Sequence, residues 1–537
     1  MKNLDNELKK ESFSAFKPDK NWIYIYIACY TVFYYILVLV NRPIGAYGVE
    51  TDFYSAYVVQ ARELLNGVII IDEYRGPFYQ MVLAMFSLIT GGGGGFYVAG
   101  KILNVTCAGL SLLLVWKLMR QISDSSIALL VMIFVSLNLN FARYAFTPGT
   151  DMLFFLLYVL SIFLLLRCIE DNSAPKQWFF AGLAVAITYL TRYTGISLFV
   201  FALIVLIVTM FRSRASSITD FKFSKRAAYF LLPIVIIIGS WSVYCYSITG
   251  QAFFNKNYQN TALTVYKPDD ISKDEWTLKH QNDFNSMAEV ISKDLPLFLK
   301  KILLVNPPSN LYKDISRLFP RLVGLFVVLG LIYFVITIRR RILGQKLYLI
   351  SVILLFLQLI LIFYSERFSL PLIPFYLFVM VLLLQEAKLN KYNIGIGKFK
   401  LFGIILIALG FLNAYNTISI LKKEINDVPF EILKVADTAK RELGETLKGK
   451  TVMARKPHIA YYLDMGYATT PFIANIDELR AALTGTSSRY YFINEKESEN
   501  IENVELRKKL LDFNSPPEGF TIVAYSTNPI AVLYRVR

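Results

Sequence analysis

Apolar residues run through this chain in long blocks rather than in alternation. Such blocks cover residues 22–40, 100–117, 126–141, 151–167, 178–190, 194–211, 227–248, 319–337, 347–364, 368–384 and 401–421, most of them near the ~20 residues a helix needs to cross a bilayer. Stretches such as "LFVFALIVLIVTMF" and "LLPIVIIIGSWSVYCYSI" have no period of two, which argues against spanning β-strands. The pattern predicts a polytopic α-helical membrane protein with about 11 transmembrane helices. A further run, "GPFYQMVLAMFSLIT" (76–90), reads as an interfacial helix at the outer membrane surface. After residue 422 the pattern changes. A polar helical segment, "PFEILKVADTAKRELGETL", precedes short β-like runs, "TVMA", "RYYFIN", "FTIVAYS" and "AVLYRV", which predicts a small C-terminal α/β domain over 422–537. No internal repeat of useful strength is present.

Charge fixes the orientation. Treating 76–90 as interfacial places four basic groups on one side: Lys2, Lys9, Lys10, Lys17 and Lys20; Arg212, Arg214, Lys222, Lys225 and Arg226; Arg339, Arg340, Arg341 and Lys346; and Lys388, Lys391, Lys398 and Lys400. By the positive-inside rule that side is cytoplasmic. The expected plan is a cytoplasmic segment 1–21 and a transmembrane domain 22–421, with a first outer loop at 41–99 and a long one at 249–318. An extracytoplasmic domain follows over 422–537, in an integral protein of the cell (inner) membrane. The net charge of +16, from 56 Lys and Arg against 40 Asp and Glu, is then an orientation signal and a surface for membrane lipids, not a nucleic-acid footprint. The first apolar run is too long for a signal h-region and lacks a cleavage site, so it is expected to remain as a span. Residues 91–95, "GGGGG", read as a flexible turn, since no Lys-Ser/Thr follows to make a phosphate loop. Cys29, Cys107, Cys168 and Cys245 all sit in apolar runs, and His280 and His458 are the only histidines, so neither a disulfide framework nor a His-based metal site is suggested.

The expected outer ends of the spans keep charges that a bilayer disfavours. Asp52 and Glu50 follow the first span; "ARYAFTPGTD" (142–151) offers Arg143 and Asp151; the link at 191–193 offers Arg192 and Tyr193; and "SERFSL" (365–370) offers Glu366 and Arg367. Convergence on one face would make a functional cavity, whereas each arginine alone could simply snorkel to the interface. A carboxylate can take a proton from an attacking hydroxyl or amine. Capping is the plainer role: Asp52 for a helix beginning at Phe53, Asp151 for its span. Tyr54 and Tyr57 lie on one stripe of the helix after Asp52, and "DEYRGPFYQ" (72–80) returns Arg75 toward the same level. Arg75, Arg192 and Arg367 are candidate clamps for a phosphate, because the guanidinium fork matches phosphate oxygens.

Taken in order, "TDFYSAYVVQARELLNG", "YRGPFYQMVLAMF", "TPGTDMLFFLLYVLS", "YLTRYTGISL" and "SERFSLPLIPFY" resemble the GT-C glycosyltransferases. The nearest likeness is to the bacterial branch related to protein O-mannosyltransferases and lipid A aminoarabinose transferase, over roughly residues 20–420. The resemblance implies transfer of a sugar from a polyprenyl-phosphate carrier to a glycan, lipid or protein acceptor, with inversion. Asp52 would be the catalytic base, Asp151 a supporting carboxylate, and Arg75 would stand where the aminoarabinose transferases carry a phosphate-binding lysine. Tyr54, Tyr57, Arg143, Arg192, Tyr193, Glu366 and Arg367 complete the candidate substrate contacts. Many relatives have an acidic pair after the first span; here the sequence is Thr51-Asp52-Phe53, so a second carboxylate would come from Glu50 or Asp151. No cofactor is firmly implied, and a divalent metal is compatible with the resemblance. A polysaccharide polymerase or ligase of another membrane class, or a secondary transporter, is the competing reading. A transporter would place its ionisable groups near the bilayer midplane, not at helix ends.

Overall fold

The computed structural model describes residues 20–536 apart from 48–49, 92–94, 170–173, 216–219, 281 and 388–400. Lys2, Lys9, Lys10 and Lys17, most of the glycine run, and Lys388, Lys391, Lys398 and Lys400 therefore lie outside the described residues.

Each of the eleven apolar runs is helical over most of its length. Among the described residues, six helices are long and apolar enough to cross a membrane: Asn21–Asn41, Phe96–Ile122, Thr150–Arg167, Tyr193–Arg212, Ser224–Thr249 and the one that begins at Leu401. Shorter apolar helices are Phe78–Ile89, Arg321–Ile336, Leu343–Leu359 and Leu370–Glu386. The run 126–141, expected as a single span, is broken. Ser125–Ser136 and Leu139–Phe146 meet at 61°. Asn138 caps the second piece, its side-chain oxygen accepting from the N–H groups of Asn140 (3.0 Å) and Phe141 (3.2 Å), while its amide donates to the Leu318 carbonyl at 2.7 Å. A residue that satisfies a helix start so fully stops the helix before it.

Phe96–Ile122 and Leu370–Glu386 form the centre of the bundle, with Leu103, Leu112, Phe375, Phe378 and Met380 buried. Peripheral helices instead turn large apolar side chains outward, among them Trp22, Val40, Val235, Val243 and Phe411. Helices apolar on both faces are what a lipid surround selects. Close crossings depend on glycine: a Cβ on Gly330 would lie 2.6 Å from the Val379 carbonyl oxygen.

The C-terminal part is built on five strands, β1 (Thr451–Ala454), β2 (Gly466–Thr469), β3 (Tyr490–Asn494), β4 (Phe520–Thr527) and β5 (Ile530–Val536), in the order β2-β1-β3-β5-β4. β2-β1-β3 are parallel and β3-β5-β4 antiparallel. Strand alternation sorts the two cores. Val452, Ala454 and Phe492 pack with Ile432 and Val435 of Phe430–Leu443 and with Ile459 of His458–Leu463, whereas Met453, Tyr491 and Ile493 pack with Leu479 of Ile476–Gly485 and Leu510 of Val504–Leu511. Ile44, from the loop after the first helix, joins the former core. Four of the strands coincide with the predicted runs. β2 went unpredicted because "GYAT" is short and half-exposed along its length.

Candidate active site

Two loops and the start of one helix converge on Asp52. Helical backbone starts at Thr51, so Asp52 lies inside the first turn, with φ −61° and ψ −31°, and makes no side-chain capping bond. The capping role expected for it is therefore replaced by ion pairing. Its Oδ1 accepts from Arg75 Nη2 at 3.0 Å, and its Oδ2 accepts from Arg367 Nη1 and Nη2 at 3.5 Å each. The following residues, Phe53–Tyr57, form a π-helical turn before Val58–Leu65. Such turns carry one extra residue and often mark functional positions.

Arg75 is held from behind by Asp72. Asp72 Oδ1 accepts from the backbone N–H groups of Tyr74 (2.8 Å) and Arg75 (3.0 Å), and its Oδ2 accepts from Arg75 Nη1 (3.0 Å) and Gln60 Nε2 (2.7 Å). The guanidinium also lies 5.4 Å from the Tyr57 ring centroid. Gly76 lets this loop press on the segment that carries Arg192, since a Cβ there would meet the Leu190 carbonyl oxygen at 2.0 Å. Arg192 pairs with Asp151, and the Phe368 ring lies near two guanidiniums, Arg192 at 4.6 Å and Arg367 at 5.0 Å. Tyr57 reaches Thr150 at 3.3 Å, beside Asp151. Asp151 occupies the first turn of Thr150–Arg167 while Gly149 takes the N-cap position, so the capping role expected for Asp151 is not realised either.

One cation was not singled out from the sequence. Lys273, at the start of the polar helix Lys273–His280 in the long loop 249–318, places Nζ 3.6 Å from the Phe363 ring centroid and acts electrostatically on Asp52. Nothing in "KDEWTLKH" distinguishes it from an ordinary solvated helix. Burial pushes the Asp52 carboxyl upward, but the charges of Arg75, Arg367 and Lys273 more than offset this and hold it below its usual range. Burial lowers the proton affinity of Arg75 and Arg367, and neighbouring acidic groups outweigh that, so both stay charged.

Other predicted residues stand further out. Arg143 pairs with Glu424, and Glu366 with Arg317 at 2.9 Å. Tyr193 turns toward Tyr189, ring centroids 5.3 Å apart, and Trp241. Tyr54 faces the C-terminal sheet domain, 4.6 Å from the His458 ring. Glu50 does not support Asp52: it is fully buried and bound to Arg42 at 2.8 Å. Among the described residues, no group of three or more His, Cys, Asp or Glu side chains is placed to hold a metal ion.

Comparison with known proteins bears on this geometry. The family model described as dolichyl-phosphate-mannose-protein mannosyltransferase matches residues 74–244. No curated protein sequence matches the chain. Among solved structures, the oligosaccharyltransferase AglB of Archaeoglobus fulgidus, in complex with an inhibitory peptide and a dolichol-phosphate, superposes with a TM-score of 0.56 at 10% identity, over 96% of this chain and 74% of that one. ArnT of Cupriavidus metallidurans, bound to undecaprenyl phosphate, gives 0.54 at 13% identity over 96% and 98%. Nearly the whole chain shares its fold with these two structures, and the match to the dolichyl-phosphate-mannose-protein mannosyltransferase model falls on the segment that supplies Arg75, Asp151 and Arg192.

Proposed function

We propose that this protein is a membrane glycosyltransferase that moves a sugar from a polyprenyl-phosphate carrier to an extracytoplasmic acceptor. The observation that carries the reading is Asp52, a carboxylate that receives arginines from two separate loops. Asp52 accepts the proton of the acceptor hydroxyl or amine as that atom attacks the sugar C1. The bond from C1 to the phosphate oxygen breaks, and its electron pair leaves on polyprenyl phosphate. One displacement inverts the sugar carbon.

Arg75 and Arg367 serve this step twice. The donor's phosphodiester carries one negative charge and the leaving polyprenyl phosphate approaches two, so cations fixed at that position bind the developing charge more tightly than the ground state. Phosphate also competes with Asp52 for the same guanidiniums. Once they turn to phosphate, Asp52 loses the partners that hold its proton affinity down, and donor binding itself makes it a better base. Lys273 adds a third positive charge from the long outer loop. The dolichol-phosphate and undecaprenyl phosphate in the AglB and ArnT structures support a lipid-linked donor, whose tail would enter laterally between helices.

In this reading all eleven apolar runs cross the bilayer, the N-terminus is cytoplasmic, and the site and the domain after residue 422 are outside. Asp52→Asn separates a base from a fold element, because asparagine matches the shape of aspartate but cannot take the proton. Purified protein incubated with a panel of polyprenyl-phosphate sugars should release polyprenyl phosphate, and Asp52→Asn should lower that release roughly a hundredfold or more with the fold intact. Undiminished release would remove Asp52 from the mechanism.

A further inference from the structure

The chain on either side of Asp52 is anchored to the C-terminal sheet domain. Residues 50 and 54 are one helical turn apart and share a face, while position 52 points the other way. On the anchored face Glu50 is locked to Arg42 at 2.8 Å, and Lys101 Nζ ties down the same corner by donating to the carbonyls of Val38 and Arg42 at 2.9 Å each. The Tyr54 ring sits in an aromatic cage of Tyr97 (5.6 Å, stacked), His458 (4.6 Å) and Tyr461 (4.8 Å). Its hydroxyl accepts from the Gly45 N–H at 3.0 Å and lies 3.4 Å from the Tyr462 hydroxyl, which donates to the Pro43 carbonyl at 3.0 Å. Tyr461 completes the dock by accepting from the Tyr97 N–H at 3.1 Å, satisfying a donor in the first turn of Phe96–Ile122.

One short helix, His458–Leu463, thus supplies contacts to the 42–47 turn, to the Asp52 helix and to the start of Phe96–Ile122. His458 is fully buried at its head, between Tyr47 (5.2 Å) and Tyr54. Arg75 and Arg367 reach Asp52 from two other loops. We propose that the C-terminal domain is a brace that sets the rotation of the helix bearing Asp52, with Tyr54 and His458 as positioning residues. The inference rests on Asp52 being the base. It assigns the domain a part in catalysis without assigning it a substrate contact, since Arg75 keeps its own anchor at Asp72.

The test uses the full-length chain with Tyr461→Ala, Tyr461→Phe and His458→Ala, measuring kcat, donor KM and the pH dependence of kcat/KM. Misplacing a reacting group by about 1 Å can cost on the order of a hundredfold. Tyr461→Ala and His458→Ala should therefore lower kcat at least tenfold with donor KM changed less than about twofold. The acidic limb of kcat/KM should also move to higher pH as Asp52 leaves its arginines, and Tyr461→Phe, which keeps the ring against Tyr54 but loses the acceptor for the Tyr97 N–H, should fall between Tyr461→Ala and the parent in both. Tyr461 is only partly buried, so its variant stays informative if His458→Ala does not fold. Parent kcat and an unmoved limb in Tyr461→Ala overturn the brace, and so does a loss of activity that only follows the folded fraction. Asp52→Asn run alongside keeps the two readings apart: an active Asp52→Asn defeats the base, whereas an inactive one beside an unaffected Tyr461→Ala defeats the brace alone.

Discussion

Arg75→Ala removes the shorter of the two arginine contacts to Asp52 and one proposed phosphate clamp in a single change. Each charge-assisted bond from the guanidinium to phosphate contributes about 1.5 to 3 kcal/mol. At about 1.4 kcal/mol per factor of ten, one lost bond raises donor KM, or lowers kcat/KM, roughly 10- to 150-fold. The fold should survive, because Asp72 keeps Gln60 and two backbone N–H groups as donors. A second readout comes from the sign of the Asp52 shift. Its carboxyl is held low by Arg75 and Arg367, so in the parent the acidic limb of kcat/KM should lie below the ordinary carboxylate value of about 3.9. Removing either arginine lets the limb rise. The side chain of Asp52 is 37% exposed, so water screens part of the effect and the rise should be modest. Arg75→Lys keeps a point charge without the planar fork and should fall between parent and alanine. The assay is release of polyprenyl phosphate at limiting donor over a pH series. Parent-like KM together with an unmoved limb in both Arg75→Ala and Arg367→Ala would refute the reasoning, because no route then connects these arginines to either the phosphate or the base.

Three further outcomes follow from the same geometry. Glu50→Ala leaves Arg42 charged and buried without its carboxylate and should destabilise the protein by about 3 to 5 kcal/mol, read as a lower thermal midpoint in detergent. Burial holds the His458 imidazole down to about 3, far below its ordinary 6.5, so the unfolded chain gains a proton that the native protein refuses; stability present above pH 6.5 is lost progressively toward pH 3. His458→Gln should flatten that part of the pH–stability curve, and an unchanged slope would contradict the burial. A cysteine introduced near Gln345 should resist a membrane-impermeant reagent added from outside while one in the sheet domain reacts; the reverse pattern would invert the topology.

The helical membrane class, the eleven apolar runs and four of the five strands were legible because each is a local property of the sequence: run length and alternation need no partner. Asp52, Arg75, Arg192 and Arg367 stand out in the sequence for a related reason, since charge held at the end of an apolar run stands against the background the bilayer selects. Which charge meets which was not. Asp52 and Arg367 are 315 residues apart, and nothing local in either loop says that they share an ion pair while Arg192 takes Asp151. Tyr54 and Tyr57 lie on one sequence stripe, yet one faces the C-terminal domain and the other lies beside Arg75, a split that the π-helical turn over Phe53–Tyr57 helps to make. The break at Asn138 depends on the Leu318 carbonyl, and the burial of Glu50 depends on Arg42 and on the domain packed above it. Hydrophobic runs select helices one at a time; rotation about each helix axis is set by packing, because in a membrane protein both faces of a helix are apolar and the sequence offers no polar side to orient it.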